Sequence, residues 1–252
     1  MTGAAGEAGR DPRIEQLKEH VAEMARLSLE MVQAGVRAFR SNDPGLANHV
    51  VELDEELDRR DVDLESETIR LIAVLQPEGA DLRLLGAVLK IATSVDRVGR
   101  LGYDLARLQS SAPEPSDPRL GELLERMDAG ARRMVELAIA AFLAHDAEAA
   151  KRVLRLDDEV DSIHREIQRR LVDAIVRGGP SAERLAGMLL AARHLERVGD
   201  NACKIAEKTV YAVTGERRPE YFPTRRHAAH DGAARAEAGP APPATAGDAR
   251  TP

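Results

Sequence analysis

The sequence predicts an all-α protein made of two tandem three-helix bundles, and three observations lead to this prediction. Aromatic residues make up only 2% of the 252 residues, whereas β-sheets favour aromatic and β-branched side chains. Charged residues reach 31% and hydrophobic residues 43%, which suits long amphipathic helices that each bury one face. Two motifs also recur, in the same order, in both halves of the chain.

The first half of the chain predicts three helices, over about residues 13–40, 44–75 and 80–108. Apolar residues recur every three or four positions from Leu17 onward, which is the helical period. Asp43 is expected to cap the second helix, with Pro44 in its first turn. Pro77 ends that helix, because proline lacks the amide proton and disfavours a helical residue before it.

The second half predicts three more helices. They run over about residues 119–143, from the turn at His145-Asp146 to about Val176, and from a capping Ser181 to about Val213. Short connections imply antiparallel neighbours, and therefore bundles. The predicted segments are a flexible N-terminus, a three-helix repeat, a linker, a second three-helix repeat and a disordered, aperiodic tail, over residues 1–12, 13–109, 110–118, 119–214 and 215–252.

Two matched motifs indicate an internal duplication. DEELD at residues 54–58 aligns with DDEVD at residues 157–161, at an offset of 103. VDRVG at residues 95–99 aligns with LERVG at residues 195–199, at an offset of 100. The two offsets differ only by a change in the length of one loop, as expected for repeated units.

Carboxylates at helical spacing mark a candidate metal site in the second half. Asp157 and Asp161 are four residues apart on one predicted helix, and Glu196 and Asp200 are four apart on the next. If these helices pack side by side, the four carboxylates converge. Oxygen-rich clusters suit hard cations such as Mg²⁺, Mn²⁺ or iron, and His164 could add a nitrogen ligand.

The first half carries a similar acidic stripe. Asp54, Asp58, Asp61 and Glu65 follow one another at spacings of four, three and four. Like charges at these spacings repel, so the stripe needs counter-charges, solvent or a cation. A solvated acidic face balanced by nearby arginines remains open as the alternative to a metal site.

Charge, cysteine content and motifs exclude several classes of protein. The net charge of −7 gives no basic field, so nucleic acid is not an expected partner. Cys203 is the single cysteine, which excludes an intrachain disulfide, and it is expected to be a buried, inert thiol. No phosphate-binding loop, dinucleotide fingerprint or nucleophile elbow occurs, so we expect no enzyme. Apolar runs too short for membrane insertion, and a polar N-terminus, predict a cytoplasmic protein.

Glycines inside the predicted helices indicate close packing. Gly99 and Gly199 occupy matched positions, and Gly86 and Gly102 lie in the third helix. Each costs roughly 1 kcal/mol relative to Ala in a helix interior. Close approach of a neighbouring helix is the usual compensation, and we predict it at these positions.

Taken together, these motifs resemble the PhoU family. Residues 76–83 read QPEGADLR, which is similar to a Gln-Pro-x-x-x-Asp-Leu-Arg segment of the family. Residues 196–200 read ERVGD, which is similar to its Glu-Arg-Ile-Gly-Asp motif. The resemblance covers roughly residues 13–214 in order.

The resemblance implies a fold and a function. The fold is two three-helix bundles related by pseudo-twofold symmetry, and the protein self-associates, here expected as a homodimer. The function is negative regulation of phosphate uptake and of the phosphate-starvation response. The expected partners are the ATPase subunit of the Pst phosphate transporter and a sensor histidine kinase. The expected cofactors are metal ions, which could be iron, zinc, Mn or Mg.

By position, the resemblance also implies two metal sites. One consists of Asp157, Asp161, Glu196 and Asp200, and the other of Asp54, Asp58 and Asp96. The second of these has Arg100 where the family usually has Asp. A guanidinium cannot ligate a cation, so the set in the second half is the better candidate and the set in the first half is doubtful.

Two other functions remain open. A carboxylate-rich metal-binding or ferritin-like storage bundle would use Glu-x-x-His motifs, which the acidic helices lack. A purely structural helical bundle would simply solvate its acidic stripe.

Overall fold

The computed structural model describes residues 11–108, 118–177 and 182–216. The helices are α1 Pro12–Ser41, α2 Pro44–Leu75, α3 Gly79–Arg107, α4 Pro118–Leu143, α5 Ala147–Leu154, α6 Asp157–Val176 and α7 Ala182–Thr214. No strand occurs in the three described ranges, and the predicted all-α class is confirmed. Four predictions concern residues outside these ranges: the flexible N-terminus before Asp11, most of the linker, the Ser181 cap and the tail beyond Glu216.

The ends of α2 follow the signals in the sequence. The Asp43 carboxylate accepts hydrogen bonds from the backbone N–H of Gly45 at 2.8 Å and of Leu46 at 3.3 Å. Pro44 begins the helix, as predicted. The helix ends before Gln76, whose φ of 46° is left-handed, and the chain then enters a proline. The capping carboxylate satisfies backbone donors that have no partner within the helix.

The prediction of one continuous fifth helix is wrong, because the chain forms α5 and α6 there. Arg155 and Leu156 make a tight turn between them, with hydrogen bonds back to residues 152 and 153. The last turn of α5 is basic and the first turn of α6 is acidic, with Lys151 and Arg152 before the turn and Asp157, Asp158 and Glu159 after it. Cations stabilise helix C-termini and anions stabilise N-termini, so this charge pattern favours two helix ends.

The helices pack as two bundles that share an interface. The first bundle contains α1, α2 and α3, and the second contains α4, α5, α6 and α7. Across the interface α3 packs along α7 and α1 contacts α4, and all of these helices belong to one compact unit. Within the described ranges, no helix is both long enough and apolar enough to cross a membrane.

Equivalent residues occupy equivalent places in the two bundle cores. Phe39 and Phe142, which are 103 positions apart, are both fully buried. The neighbours of the matched glycines are matched as well: Leu57 and Met31 for Gly99, and Val160 and Met134 for Gly199. The duplication inferred from two motifs therefore extends to the packing of the side chains around them.

Close packing is confirmed at Gly99 and Gly102. A Cβ on Gly99 would stand 2.2 Å from Leu57 Cδ2, and one on Gly102 would stand 2.5 Å from the α1 backbone. The prediction is wrong at Gly199, where the nearest atoms would be at 3.5 Å or more, an ordinary contact distance. It is also wrong at Gly86, where no atom lies within 4 Å of the added Cβ.

Candidate functional site

Each bundle carries acidic side chains along the contact between two of its helices. The first acidic face lies between α2 and α3 and consists of Asp54, Asp58, Asp61 and Asp96, with Arg100 among them. The second acidic face lies between α6 and α7 and consists of Asp157, Asp161, Glu196 and Asp200, with His164 beside them. These positions include all seven carboxylates that the sequence assigned to metal sites.

Arg100 joins the two helices of the first acidic face. Its Nη2 donates a hydrogen bond to Asp58 Oδ1 on α2 at 2.7 Å, and its Nε donates to Asp96 Oδ2 on α3 at 3.2 Å. The negative charges of Asp96 and Asp58 raise the pKa of the guanidinium. The structure thus brings two predicted ligands together, but it does so around a cation that the chain itself provides.

Two further carboxylates of this face lie partly buried beside others of like charge. Burial raises the pKa of Asp54, and the charges of Asp58 and Asp96 raise it further against the opposing effect of Arg100. Burial also raises the pKa of Asp61, with Asp96 the next cause. Asp54 Oδ1 is buried and accepts no hydrogen bond from the described residues.

The first acidic face does not fit a metal ion in this chain. The guanidinium N–H groups of Arg100 point at the oxygens of Asp58 and Asp96 that a metal would use. Arginine offers no lone pair, stays protonated in proteins and repels a second cation. Asp58 and Asp96 therefore form ion pairs with Arg100, whose charge also acts on Asp54.

The second acidic face begins at the turn between α5 and α6. Asp157 is the first residue of α6, where the helix terminus favours a negative charge. Its Oδ1 lies 3.5 Å from the place a Cβ on Gly199 would occupy, so α6 and α7 do converge at this level. Cys203, one turn further along α7, hydrogen-bonds to Asp157, and the charge of Asp161 also raises the pKa of its thiol.

His164 lies deeper in the second acidic face. The residue is 7% exposed, and burial lowers the pKa of its imidazole, although Glu196 and Asp161 oppose that shift. The side-chain amide of Gln168 is 3.4 Å from its Nε2. Arg193 approaches the rim of the face, with its Nη1 3.6 Å from Glu196 Oε2. A neutral imidazole is the form in which histidine ligates metals.

The second acidic face contains the oxygen and nitrogen donors that divalent or ferric cations use. The charge of Asp161 raises the pKa of both Cys203 and His164, so the three side chains lie near one another. The charge of Glu196 also raises the pKa of His164. Asp200 follows Glu196 by one turn of α7, with its Oδ1 buried. As the side chains stand, the described residues contain no group of three or more His, Cys, Asp or Glu gathered closely enough to hold a metal ion. Metal binding here stays a prediction.

Cys203 is the member of this face that sequence reasoning missed. The thiol is half-buried, and burial raises its pKa, with Asp157 and Glu207 adding to the effect, so it stays protonated at neutral pH. The predicted low reactivity agrees with this shift. Helical spacing could have assigned it to this face, because Cys203 lies three residues after Asp200 and seven after Glu196 and therefore shares their side of the helix.

In the described residues, the bundle interiors hold no paired carboxylates. Asp128 is the only Asp or Glu that is buried among the described residues, and it pairs with Arg132 at 2.9 Å. Ferritin-like storage bundles need carboxylates from several helices projecting into the core. The other described carboxylates instead follow the helix margins, where they are half-buried or exposed.

Comparison with known proteins finds similarity over both repeats. Residues 21–108 and 124–209 each match the PhoU domain. The chain is 30% identical over 203 residues to the "Phosphate-specific transport system accessory protein PhoU homolog" of Pseudomonas aeruginosa, covering 80% of this chain and 84% of the relative. It is equally identical, over 203 residues, to the PhoU homolog of Aquifex aeolicus, covering 81% of this chain and 92% of the relative.

Solved structures share the fold. The crystal structure of PhoU from Pseudomonas aeruginosa matches with a TM-score of 0.75 at 30% sequence identity, covering 81% of this chain and 99% of that one. The phosphate transport system regulatory protein PhoU from Streptococcus pneumoniae matches with a TM-score of 0.75 at 22% identity, which supports the fold alone. The predicted tandem helical bundles are confirmed.

Proposed function

The chain belongs to the PhoU family, and from this premise we propose that it is an accessory protein of a phosphate-specific transport system that restrains phosphate uptake. The observation that carries the proposal is the match of both repeats to the PhoU domain. Relatives bearing the accessory-protein name are covered over 84% and 92% of their length, so the proposal concerns the whole regulator.

In this proposal the protein works through protein contacts rather than catalysis. It couples the ATPase subunit of the transporter to a sensor histidine kinase in the cytoplasm, and so also restrains the phosphate-starvation response. Exposed apolar residues on the outer faces of α2 and α6 support such contacts. Ile69 is 53% exposed and Val172, its equivalent in the second repeat, is 57% exposed. Self-association as a homodimer would use surfaces of the same kind.

Metal binding by the second acidic face is part of the proposal. Asp157, Asp161, Glu196 and Asp200 would hold the ion, with His164 as a nitrogen donor in reach of the same carboxylates. Iron, zinc, Mn or Mg would suit these donors. A bound cation would offset the repulsion among the carboxylates and hold α6 against α7, which makes its role structural.

Co-purification tests the contacts directly. The tagged full chain should retain the transporter ATPase subunit and the cytoplasmic part of the sensor kinase. Ile69→Asp and Val172→Asp form a matched pair, because each places a charge at the same position of one repeat, and the loss of one partner identifies the repeat that binds it. If the parent chain retains neither partner under conditions that preserve its fold, the adaptor proposal is wrong.

A further inference from the structure

One guanidinium faces every carboxylate of the first acidic face. Arg100 contacts Asp58 at 2.7 Å and Asp96 at 3.2 Å, and its charge acts on Asp54 and Asp61 as well. The contacts join α2 to α3, which is what a metal ion would do between the carboxylates of two helices. Exposed ion pairs are individually weak, but a network around one charge occupies the oxygens of several partners at once.

The second acidic face differs most in charge at the position equivalent to Arg100. Asp200 stands 100 residues after Arg100 on the matched helix, so the two faces differ there by two unit charges. Three other positions correspond: Asp157 and Asp161 match Asp54 and Asp58, and Glu196 matches Asp96. Asp61 is matched by His164, which is a second and smaller difference in charge. The carboxylates of the two repeats are therefore nearly the same, and one side chain accounts for the main difference in charge.

We propose that Arg100 is a built-in counter-ion that closes the first acidic face to metal, so that the residue at position 100 decides whether this repeat binds a cation. The inference rests on the proposed metal binding of the second acidic face. It adds that the carboxylates of the first repeat are still competent ligands. They bind no metal because a permanent positive charge already pairs with Asp58 and Asp96 and repels a second cation from the face.

Mn²⁺ binding by the full-length chain tests the inference, with free Mn²⁺ measured by electron paramagnetic resonance. All variants carry Asp161→Ala, which disables the second acidic face and leaves only the first to be counted. In this background the chain with Arg100 should show only the weak, non-specific Mn²⁺ binding expected of exposed carboxylates. Arg100→Asp should bind about tenfold more tightly or better, because it removes a repelling charge and adds a ligand.

Three control variants separate charge from bulk and from net charge. Arg100→Lys keeps the positive charge and should bind no more than the chain with Arg100. Arg100→Leu removes the charge but keeps an uncharged bulk, and should bind with an affinity between those of Arg100 and Arg100→Asp. Arg126→Asp changes the net charge by the same amount on an exposed position of α4 and should have no effect.

Several results would overturn the inference. The inference is wrong if Arg100→Asp is folded by circular dichroism and yet binds no more Mn²⁺ than its background, or if Arg126→Asp gains as much. Loss of Mn²⁺ from the parent chain on Asp58→Ala would also overturn it. If Arg100→Asp does not fold, Arg100→Asn supplies an oxygen ligand without a new charge and must bind more than Arg100→Lys. A gain by Arg100→Asp supports the inference even if the parent chain binds no Mn²⁺, a result that would contradict only the proposed metal binding of the second acidic face.

Discussion

Single glycines set how closely the helices of the first repeat cross. A Cβ on Gly35 of α1 would stand 2.2 Å from the carbonyl oxygen of Gly102 on α3. The equivalent residues of the second repeat are Ala138 and Ala202, both fully buried. Two alanines fit where the first repeat tolerates only glycine, so α4 and α7 leave room at this crossing that α1 and α3 do not.

Alanine substitution at two glycines should therefore give opposite results. Gly102→Ala should lower the free energy of unfolding by about 1–3 kcal/mol, because the new Cβ meets the backbone of Met31 and Val32, which cannot move aside alone. Gly199→Ala should be neutral or stabilising by up to about 1 kcal/mol, because the Cβ has room and alanine favours the helix. Urea unfolding of both variants checks this. A Gly102→Ala variant as stable as the parent chain would contradict the packing described for α1 and α3.

Asp61 offers a test of the electrostatics of the first acidic face. Its pKa is raised in the folded protein, so its ionised form opposes folding. This cost is absent below the pKa of the unfolded chain, about 3.9, and is complete once the pH exceeds the raised folded value. Asp61→Asn should therefore stabilise the protein at pH 7, by a few tenths of a kcal/mol for each repulsion removed, and have little effect near pH 3.

Unfolding measured at both pH values checks the Asp61 prediction. Asp63→Asn on the same helix is the matched control, because Asp63 is exposed and the substitution removes the same charge. Equal effects of the two substitutions at pH 7 would mean that net charge, rather than repulsion within the first acidic face, sets the stability contribution of these carboxylates.

At the scale of helices, the sequence predicts ends where residues act locally. The Asp43 cap and the proline after Gln76 bound α2 because both act through the backbone next to them. The turn at Arg155 and Leu156 was missed because it contains neither Pro nor Gly. Its signal is the change from basic to acidic residues across the turn, which a search for apolar periodicity does not detect.

The candidate site was likewise predictable where it depends on spacing along one helix, and not where it depends on a neighbouring helix. Helical spacing put the carboxylates on common faces, and the resemblance to the PhoU family marked the departure at Arg100. The space around Gly199 could not be predicted in this way, because it depends on a neighbouring helix. Val160 is one carbon shorter than its equivalent Leu57, and that difference opens the gap beside Gly199.

At the scale of the whole molecule, two similar repeats present different charge. The bundles share the α3–α7 interface, where His194 Nδ1 lies 3.9 Å from Asp104 Oδ2. The first acidic face carries its own cation, and the second has an acidic residue in the matched place. In the proposal above, metal binding therefore concerns the second repeat and not the first.

Expression of a phosphate-starvation reporter in phosphate-rich medium tests the central claim, namely that this chain restrains the starvation response. In a strain that lacks the chain, the reporter should be switched on despite abundant phosphate. Supplying the parent chain should switch it off, and supplying Gly199→Ala should do the same, because that variant keeps the fold and all the acidic residues. A reporter that stays off in the strain lacking the chain would contradict the account.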